Sequence, residues 1–520
     1  MQKHHILWAD DEIDLLKPHV MFLEKKGYNV TPVTSATEAL DLLDEQNFDV
    51  VFLDENMPGM TGLEALPLIK ERRPDLPVVM ITKSEEEMVM EDAIGSKISD
   101  YLIKPLNPNQ ILLSVKKILD NKRLVSEKTN LNYQQEFRNL GMAVADYQDF
   151  EGWKDIYSRL VYWELEIDNR TDNSMAEILE MQKSEANQAF SNYVEDNYED
   201  WLNEPDIERP LMSHNVMKEK VFPHLEGDKP VFFILIDNLR LDQWQMLRPI
   251  ITEGLDVEEE DTYYSILPTT TAYARNAIFS GMLPLEMSKR CPDIWVGEDV
   301  DEGKNNNEDK FLERQLKRAR IDVKWSYHKI KQQSQGRALV DNVNNLMSNK
   351  LNVIVYNFVD LLSHARTEME VIRELAHDES AYRSLTTSWF KNSPLGDLIK
   401  QLSSRDVKVV LTTDHGTIRV RKPYRIIGDR NTNTNLRYKQ GKNLSFKDND
   451  VFVARRPEKM HLPLVNVSTA YVFSTKDYFF AYPNNYNYYV NYYRDTFQHG
   501  GLSLEEMIIP IISLNSKHGK

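Results

Sequence analysis

Residues 49–62 read Asp-Val-Val-Phe-Leu-Asp-Glu-Asn-Met-Pro-Gly-Met-Thr-Gly, an apolar run that ends in an acid and is followed by a turn. An uninterrupted apolar run of this length is typical of a strand covered on both faces of a parallel sheet. Four further short runs alternate with helical stretches: 6–8, 28–33, 77–81 and 100–103. This alternation predicts an α/β fold with a doubly wound parallel sheet over residues 1–121.

Polar side chains that bind cations or phosphate follow four of these runs. They are, in chain order, Asp10 and Asp11, Asp54, Thr82, and Lys104. Ligands of such sheets bind outside the carboxyl ends of the strands. Carboxylates gathered at that edge repel one another, and magnesium is a suitable counter-charge because it prefers oxygen ligands. The lysine and the hydroxyl would then contact an incoming phosphoryl group.

This first segment resembles the receiver domain of bacterial response regulators. The resemblance covers about 120 residues and lies in Asp10-Asp11, Asp54–Gly62, Thr82, Tyr101 and Lys104-Pro105. It implies that Asp54 is phosphorylated by a partner sensor histidine kinase.

The same resemblance assigns roles around the phosphoryl group. Asp10 or Asp11, together with Asp54 and the backbone carbonyl of Asn56, would hold magnesium. Thr82 and Lys104 would contact the phosphoryl oxygens. Tyr101 would report phosphorylation by turning inward.

The composition is that of a globular protein in a reducing compartment. The 520 residues include 63 basic and 81 acidic side chains, and the net charge of −18 argues against binding duplex DNA through its phosphates. Cys291 is the only cysteine, so no disulfide can form within the chain. No apolar run approaches the ~20 residues needed to span a bilayer. We therefore expect a cytoplasmic protein without a membrane span.

The remainder of the chain divides into two parts by pattern. Residues 122–208 place apolar side chains at helical spacing and contain no strand run, which predicts an all-α middle bundle. Two roles stay open for this bundle, a spacer and a dimerising helix pair. Between residues 209 and 520, strand runs return at 231–236, 353–359 and 409–412, which predicts a large second α/β domain.

Acids and histidines follow the strand runs of this third part. They are Asp237 after the first, Asp360 and His364 after the second, Asp414 and His415 after the third, and His499 near the C-terminus. Mixed nitrogen and oxygen ligands suit zinc better than magnesium, with manganese as the alternative. Six ligands are too many for one tetrahedral ion, so we predict two zinc ions. A metal pair ~4 Å apart is a common device for displacement at phosphorus.

Three threonines, Thr269, Thr270 and Thr271, precede a helical pattern over residues 273–280. A threonine at a helix N-terminus meets free backbone N–H groups that favour a phosphate. The residues alone leave open which of the three hydroxyls would act as a nucleophile.

The third part resembles the alkaline phosphatase superfamily, and His499-Gly-Gly-Leu-Ser-Leu-Glu-Glu-Met-Ile-Ile-Pro510 is typical of its PglZ branch. In phosphodiesterase relatives the nucleophilic threonine stands ten residues before the glycine of a Thr-Gly-Leu-x-Pro segment. Here Ser280-Gly281-Met-Leu-Pro284 takes that place, and Thr271 lies ten residues before Gly281. The resemblance implies a zinc-dependent phosphodiesterase with a phosphothreonine intermediate at Thr271. Thr269 and Thr270 would then serve the turn.

The resemblance also divides the ligands between two zinc ions: Asp237, Thr271, Asp414 and His415 for one, and Asp360, His364 and His499 for the other. Two departures stand out. Ser280 replaces the usual threonine, and the asparagine that helps to hold the phosphoryl group has no evident equivalent. Arg275 and Asn276 are its candidate substitutes, with ordinary packing roles as the alternative.

Substrate recognition has two candidate features in the late part of the chain. Aromatic residues there could stack on bases or simply pack in the core: Tyr478, Phe479, Phe480, Tyr482, Tyr486, Tyr488 and Tyr489. Basic residues there could offset the acidic background near the site or be solvated: Arg419, Arg421, Arg425, Arg437 and Lys439.

Receiver, helical middle and PglZ-like output, in that order, resemble PorX-type response regulators of Bacteroidota. The resemblance implies cyclic or linear oligonucleotides as substrates, regulation of type IX secretion, contacts with that secretion machinery and a sigma factor, and a homodimer when phosphorylated. A different class stays open, a zinc-stabilised protein-docking module with little or no catalysis. No helix-turn-helix pattern with a basic face accompanies these parts, which argues against direct transcription control.

Overall fold

The computed structural model describes residues 4–82, 98–146, 148–168, 175–297, 300, 303–376, 378–429, 432–447, 451–464, 466, 468–482 and 485–517. The chain forms two compact units, Met1–Gln135 and Glu136–Lys520. Each unit is built around its own sheet.

The first unit contains a five-stranded sheet in the order β2-β1-β3-β4-β5, with all neighbours parallel. Its strands are β1 (His5–Ala9), β2 (Asn29–Val33), β3 (Val50–Asp54), β4 (Val78–Thr82) and β5 (Asp100–Ile103). Helices of this unit include α1 (Lys17–Lys25), α2 (Ala36–Glu45) and α3 (Gly62–Arg72). The predicted doubly wound parallel sheet is confirmed.

Side chains alternate between the two faces of this sheet and build two apolar clusters. Leu7 of β1 packs in the cluster with α2 and α3, whereas its neighbours Ile6 and Trp8 pack in the cluster with α1. Because both faces are covered, β3 and β4 are buried along their whole length, as their continuous apolar runs predict.

Long helices form the middle of the chain, as predicted. They are α4 (Pro108–Ala145), α5 (Phe150–Asp168) and α6 (Ala176–Asn203). Helices α5 and α6 belong to the second compact unit and pack with aromatic contacts, for example Trp153 against Phe190 at 5.5 Å between ring centroids. The domain boundaries at residues 121 and 208 stay predictions.

The second unit contains a six-stranded sheet in the order β7-β18-β10-β6-β9-β8. Its strands are β6 (Val231–Ile236), β7 (Leu255–Tyr264), β8 (Trp325–Ile330), β9 (Leu351–Tyr356), β10 (Lys408–Thr412) and β18 (Ile508–Ser516). Strands β10, β6, β9 and β8 are mutually parallel, while β18 runs antiparallel to β10 and to β7. The predicted large α/β domain is confirmed, with a mixed sheet.

Helices and short helical turns surround this sheet. The helices are α7 (Leu241–Thr252), α8 (Asn276–Ser280), α9 (Pro284–Arg290), α10 (Glu308–Arg318), α11 (Gln333–Asp341), α12 (Val343–Leu346), α13 (Phe358–Glu368), α14 (Glu370–Leu375), α15 (Glu379–Lys391), α16 (Pro394–Ser403), α17 (Tyr486–Tyr493) and α18 (Leu504–Met507). The strand predicted over residues 353–359 was wrong at its end, because β9 stops at Tyr356 and α13 begins at Phe358.

Small sheets decorate the late part of this unit. Strands β11 (Ile418–Arg419) and β17 (Phe497–Gln498) pair, as do β12 (Lys422–Arg425) and β16 (Tyr478–Ala481). A three-stranded sheet contains β13 (Tyr438–Gly441), β14 (Val451–Ala454) and β15 (Ala470–Ser474). Among the described residues, no helix is both long enough and apolar enough to cross a membrane.

Candidate functional site

An acidic cluster lies at the carboxyl edge of the first sheet. Ala9 pairs with Leu53 across β1 and β3, so the residues that follow, Asp10 and Asp54, leave the sheet side by side. Carboxylate oxygens of Asp10, Asp11 and Asp54 lie within 4.8 Å of one another. Asp10 and Asp54 are buried, whereas Asp11 is exposed.

Lys104 supplies the positive charge of this cluster. Its Nζ lies 2.7 Å from Oδ1 of Asp54 and 3.0 Å from Oδ2 of Asp10. Burial raises the pKa of Asp54, the Lys104 ammonium lowers it and the Asp10 carboxylate raises it again, so that the pKa lies above its ordinary value. One ammonium therefore does not offset the burial of this carboxylate, and an additional cation would stabilise its charged form.

The other predicted receiver residues lie at the same edge of the sheet. Thr82 ends β4 and pairs with Ile103 of β5, the residue directly before Lys104. The exposed Asn56 follows Asp54 by two residues, and Tyr101 of β5 is half-buried against an apolar cluster. The structure brings Asp10, Asp11, Asp54 and Lys104 into contact, and it places the remaining three on adjoining segments.

The second sheet repeats this placement with different side chains. Strands β10, β6 and β9 are adjacent and parallel, so their carboxyl ends meet at one edge. Asp237 directly follows β6, Asp414 follows β10 after one residue, and Asp360 lies in the first turn of α13 after β9. Ligands of α/β sheets bind at this edge.

One group of ligand atoms contains Asp237, Asp414 and His415, which lie within 4.8 Å of one another and are fully buried. The Oγ1 of Thr271 lies 3.1 Å from Nε2 of His415 and 3.4 Å from Oδ1 of Asp237. Thr271 begins a helical turn that continues to Arg275, with Thr270 as the extended residue before it. The Thr271 hydroxyl is therefore part of this group.

A second group contains Asp360, His364 and His499, again within 4.8 Å. Oδ1 of Asp360 lies 3.5 Å from Nε2 of His364 and 3.5 Å from Nε2 of His499. The His364 side chain is 59% exposed, whereas Asp360 and His499 are 15% and 13% exposed. This group therefore opens to solvent on the His364 side.

Asn238 and a histidine stack connect the two groups. Asn238 has a left-handed backbone, with φ of 65°. Its backbone N–H lies 3.4 Å from Oδ1 of Asp414, and its Nδ2 lies 3.5 Å from Oδ1 of Asp360. The rings of His415 and His499 stack at 4.2 Å between centroids. The six predicted ligands thus form one continuous site.

Burial shifts the pKa values of two side chains in the group of Asp360, His364 and His499. Burial raises the pKa of Asp360, and the nearby Asp237 raises it further, to about 6 despite the neighbouring His364 and His415. Burial and the adjacent His415 and His364 lower the pKa of His499 well below its ordinary value, which favours neutral imidazole. Neutral imidazole is the form that binds a metal.

The donor sets fit different cations. In the receiver, three carboxylates lie together and Oδ2 of Asp54 is buried without a hydrogen-bond partner among the described residues, which suits a hard cation such as magnesium. In the output unit, each group combines carboxylate oxygens with imidazole nitrogens that lie 3.5 Å or more from those oxygens. Such mixed sets suit zinc.

Thr269 and Thr270 have roles that differ from that of Thr271. Thr269 Oγ1 donates to the carbonyl of Gly501 at 2.8 Å and accepts the N–H of Gly500 at 3.1 Å. The backbone carbonyl of Thr269 lies 3.2 Å from Nδ1 of His499, so this residue fixes the His499 loop. Thr270 Oγ1 is buried and has no hydrogen-bond partner in the described part of the chain.

The side-chain N–H groups of Arg275 and Asn276 are engaged in contacts within the protein. Arg275 is fully buried; its Nε lies 3.0 Å from Oδ2 of Asp414, and its other nitrogens contact Asp237 and Glu308. Asn276 Nδ2 donates to the carbonyls of Ala272 and Lys304, each at 2.9 Å. Arg275 therefore orients two of the predicted ligand carboxylates.

Sequence reasoning named Arg275 as a candidate but missed its contacts, and it missed Glu308 and the role of Asn238. The contact of Arg275 with Asp237 and Asp414 joins segments that are distant in the chain. In the sequence, only the position of Arg275 four residues after Thr271 indicated that it lies near the site. Glu308, 1% exposed, holds Arg275 from the opposite side. Asn238 carried a recognisable signal, because asparagine tolerates the left-handed backbone directly after a strand end.

Some of the basic and aromatic residues in the late part of the chain are buried, and others are exposed. Arg437 is fully buried, with Nη2 2.6 Å from Oε2 of Glu506, and Lys439 is also buried. Arg419 pairs with Asp495 at 3.1 Å, and Arg421 contacts Glu180. Phe479 and Phe480 lie in apolar clusters, with Tyr478 packed against one of them. The helix α17 carries the exposed tyrosines, among them Tyr488 and Tyr489.

Models of known families match three consecutive segments of the chain. A response regulator receiver domain matches residues 6–116, and a PorX response regulator linker domain matches residues 123–202. A BREX system PglZ alkaline phosphatase-like domain matches residues 216–514, which is more than half of the 520 residues.

Curated relatives are similar to a part of the chain. The alginate biosynthesis transcriptional regulatory protein AlgB of Pseudomonas putida is 36% identical over 119 residues, which are 23% of this chain and 27% of AlgB. The transcriptional regulatory protein ResD of Bacillus subtilis is 30% identical over 135 residues, 26% of this chain and 55% of ResD. The chain thus spans about a quarter of AlgB and about half of ResD.

Solved structures are also similar to a part of the chain. The receiver domain of NtrX from Brucella abortus is 30% identical, with a TM-score of 0.21, covering 22% of this chain and 98% of that domain. A CheY-like receiver domain protein from Methanospirillum hungatei is 30% identical, with a TM-score of 0.22, covering 24% of this chain and 98% of that chain.

Proposed function

The chain belongs to the PglZ family of alkaline phosphatase-like domains, and from this premise we propose that its output unit is a zinc-dependent phosphodiesterase. The order of its matched segments is that of a PorX-type two-component response regulator, which implies a sensor kinase as partner. One observation carries the proposed activity. The Thr271 hydroxyl lies 3.1 Å from Nε2 of His415, among ligand-type side chains at the carboxyl edge of the sheet.

Thr271 is the proposed nucleophile. Its Oγ1, 3.4 Å from Oδ1 of Asp237, attacks phosphorus and forms an Oγ1–P bond while the P–O bond to the first alcohol breaks. The hydroxyl loses its proton in this step and the departing alkoxide takes one up, so that the first product leaves as a neutral alcohol. Water then attacks the phosphothreonine, restores Oγ1 and releases the phosphomonoester. Two zinc ions, when bound, would supply the Lewis acidity that stabilises negative charge on the attacking and leaving oxygens.

The chain's own residues hold and orient this site. Asp237, Asp414, His415 and Thr271 are the proposed ligands of one ion, and Asp360, His364 and His499 those of the other. Arg275 fixes the buried carboxylates of Asp237 and Asp414. The hydrogen bonds between Thr269 and residues 499–501 hold His499 in place.

The receiver is the proposed switch. Phosphorylation would occur at Asp54, with magnesium held by Asp10, Asp11, Asp54 and the carbonyl of Asn56. Lys104, 2.7 Å from Asp54, would then contact the phosphoryl oxygens together with Thr82, and Tyr101 would turn inward. A phosphorylated homodimer is part of the proposal.

Substrate, location and physiological role follow the same family resemblance. We assign cyclic or linear oligonucleotides as substrates, a cytoplasmic location, and regulation of type IX secretion through the secretion machinery and a sigma factor. The two curated relatives are named as transcriptional regulators, but their similarity covers only 23% and 26% of this chain. Direct transcription control is therefore not carried over to this chain.

A zinc-stabilised docking module is the competing function, since a metal site can serve structure alone. Hydrolysis of bis-p-nitrophenyl phosphate by the purified full chain distinguishes the two. A phosphodiesterase should turn over this diester, lose activity with a chelator and regain it when zinc is added back. A folded, zinc-loaded chain that leaves the diester intact would identify a docking module.

A further inference from the structure

Helix α17 presents two unlike faces. Its sequence Tyr-Asn-Tyr-Tyr-Val-Asn-Tyr-Tyr contains five tyrosines in eight residues. Val490 belongs to an apolar cluster with residues of β11 and β16, and Tyr486 and Tyr493 pack against that cluster. These three residues, spaced as i, i+4 and i+7, attach the helix to the unit. Tyr488, Tyr489 and Tyr492 lie outside this attachment.

The tyrosines of α17 form a ladder of two stacked pairs, and the ring planes of Tyr488 and Tyr489, which belong to different pairs, differ by 78°. Tyr488 is 64% exposed and Tyr489 is 38% exposed. The rings of Tyr488 and Tyr492 lie 6.1 Å apart with planes within 12° of parallel, and Tyr489 repeats this geometry with Tyr493. Aromatic rings exposed to water are not stabilised by burial in the core, and a contiguous group of them commonly marks a binding surface.

Cationic side chains accompany the ladder in an otherwise acidic protein. The Arg373 guanidinium lies 5.6 Å from the centre of the Tyr492 ring, and its Nη2 donates to the carbonyl of Thr367 at 2.6 Å. Arg494, directly after α17, is exposed. Together with the exposed amides of Asn487 and Asn491, this surface combines aromatic faces, positive charge and hydrogen-bond donors.

Short stretches of chain connect this surface with the segments that carry the more exposed group of metal-ligand side chains. His364, the most exposed of the six predicted ligands, lies on α13 three residues before Thr367, the acceptor of Arg373. Along the chain, α17 ends six residues before His499. Two segments that carry ligands of the same group therefore lead directly to the tyrosine ladder.

We propose that the tyrosine face, defined as Tyr488, Tyr489, Tyr492 and Arg373, binds the bases of a linear single-stranded oligonucleotide whose phosphodiester is cleaved at Thr271. Exposed aromatic rings stack on bases without selecting sequence, and the nearby arginines attract the phosphates. This inference rests on the proposed phosphodiesterase and specifies its substrate as linear and longer than one phosphodiester. A protein partner on this face is the competing occupant.

Steady-state hydrolysis tests this assignment. The full chain and the double variant Tyr488→Ala/Tyr492→Ala are compared on hexathymidylate and on bis-p-nitrophenyl phosphate. We expect kcat/KM on the oligonucleotide, relative to that on the small diester, to fall about tenfold or more, mostly through KM. The double variant Tyr488→Phe/Tyr492→Phe keeps the rings and should restore the ratio. Tyr162→Ala, a 55% exposed tyrosine on α5, is the matched control and should leave the ratio unaltered.

A binding measurement separates failure of this inference from failure of the proposed activity. Fluorescence anisotropy with 5′-fluorescein hexathymidylate reports affinity whether or not the chain is catalytic. Roughly tenfold weaker binding by the alanine variant, with recovery in the phenylalanine variant, supports the tyrosine face even if no diester is hydrolysed. Equal affinity of wild type and alanine variant, or equal hydrolysis ratios in an active enzyme, overturns the inference and leaves the face to a protein partner.

Discussion

Asn187 and Glu505, 318 positions apart in the chain, share a buried hydrogen bond in which Nδ2 of Asn187 donates to Oε2 of Glu505 at 3.0 Å. Oδ1 of Asn187 accepts the N–H of Leu504 at 2.8 Å. The carbonyl of Glu505 approaches Gly416 so closely that a Cβ there would lie 1.9 Å from it. Since Gly416 follows the predicted ligand His415, helix α6 is connected to this ligand loop through Leu504 and Glu505.

Replacement of Asn187 should therefore destabilise the second unit. Asn187→Ala leaves the buried Glu505 carboxylate and the Leu504 N–H without this partner, which should lower the free energy of unfolding by about 2–3 kcal/mol. Asn192→Ala, an exposed asparagine on the same helix, is the control and should change it by less than about 0.5 kcal/mol. Urea denaturation followed by tryptophan fluorescence measures both, and equal stabilities would contradict this role.

Glu164 should make stability depend on acid pH. Burial alone would raise the pKa of Glu164, but Lys183 and Arg383 lower it to about 2. Because this lies below the ordinary value of 4.5, the stabilisation is complete above pH 4.5 and is lost as the pH falls toward 2. Its size is on the order of 3 kcal/mol.

Thermal melts from pH 7 to pH 3 measure this effect. Glu164→Gln should melt well below wild type at pH 7, and the gap should narrow as the pH falls. Glu177→Gln, an exposed glutamate on α6, should follow wild type throughout. A gap between Glu164→Gln and wild type that does not change with pH would show that Glu164 is not a buried charged partner.

Thr271→Val should abolish diester hydrolysis while preserving the fold. The substitution removes the proposed nucleophilic oxygen, which should reduce turnover at least ~10³-fold, about 4 kcal/mol of barrier. Thr270→Val should have far less effect, because the Thr270 hydroxyl makes no hydrogen bond within the described residues. Rates are compared at saturating zinc, since Thr271 is also a proposed ligand.

Two results would revise the threonine assignment. An active Thr271→Val with an inactive Thr270→Val would move the nucleophile by one residue. Full activity in both variants would exclude a phosphothreonine intermediate.

The purified chain should contain close to two zinc ions. Elemental analysis of wild type and of His499→Ala measures this, and the variant should lose part of the metal because His499 lies 3.5 Å from Asp360 in the more exposed group. His461→Ala replaces a histidine that contacts Asn203 instead of the site, and it should retain the wild-type content. A folded sample with a single calcium ion or no metal would contradict the proposed centre.

Asp54 should be the only site that a small phosphodonor labels in the presence of magnesium. Its carboxylate lies beside Lys104 and within 4.8 Å of the Asp10 and Asp11 oxygens, an arrangement suited to holding a cation and a phosphoryl group together. Mass spectrometry after incubation with acetyl phosphate should show one modification, which Asp54→Ala removes. Full labelling of that variant would contradict the assignment of Asp54 as the phosphorylated residue.

The sequence by itself was sufficient for the architecture and for naming the acids and histidines that gather at the two sheet edges. Continuous apolar runs such as Val50–Leu53 and Val231–Ile236 are local signals of strands buried on both faces, and both became central strands. Carboxyl ends of adjacent parallel strands meet at one edge, so the acids after such runs had to converge once the strand order was set. The end of β9 was misjudged, because Phe358 and Val359 suit a strand as well as the start of a helix.

Only the tertiary structure decided which polar groups face one another across the chain. Arg275 lies against Asp237 and Asp414, and Asn187 against Glu505, because packing brings distant segments together in ways that local pattern does not encode. It also divided the late aromatic residues into buried Phe479 and exposed Tyr488. An apolar ring has the same sequence signal in a core and on a surface, and its neighbours in space alone determine which it occupies.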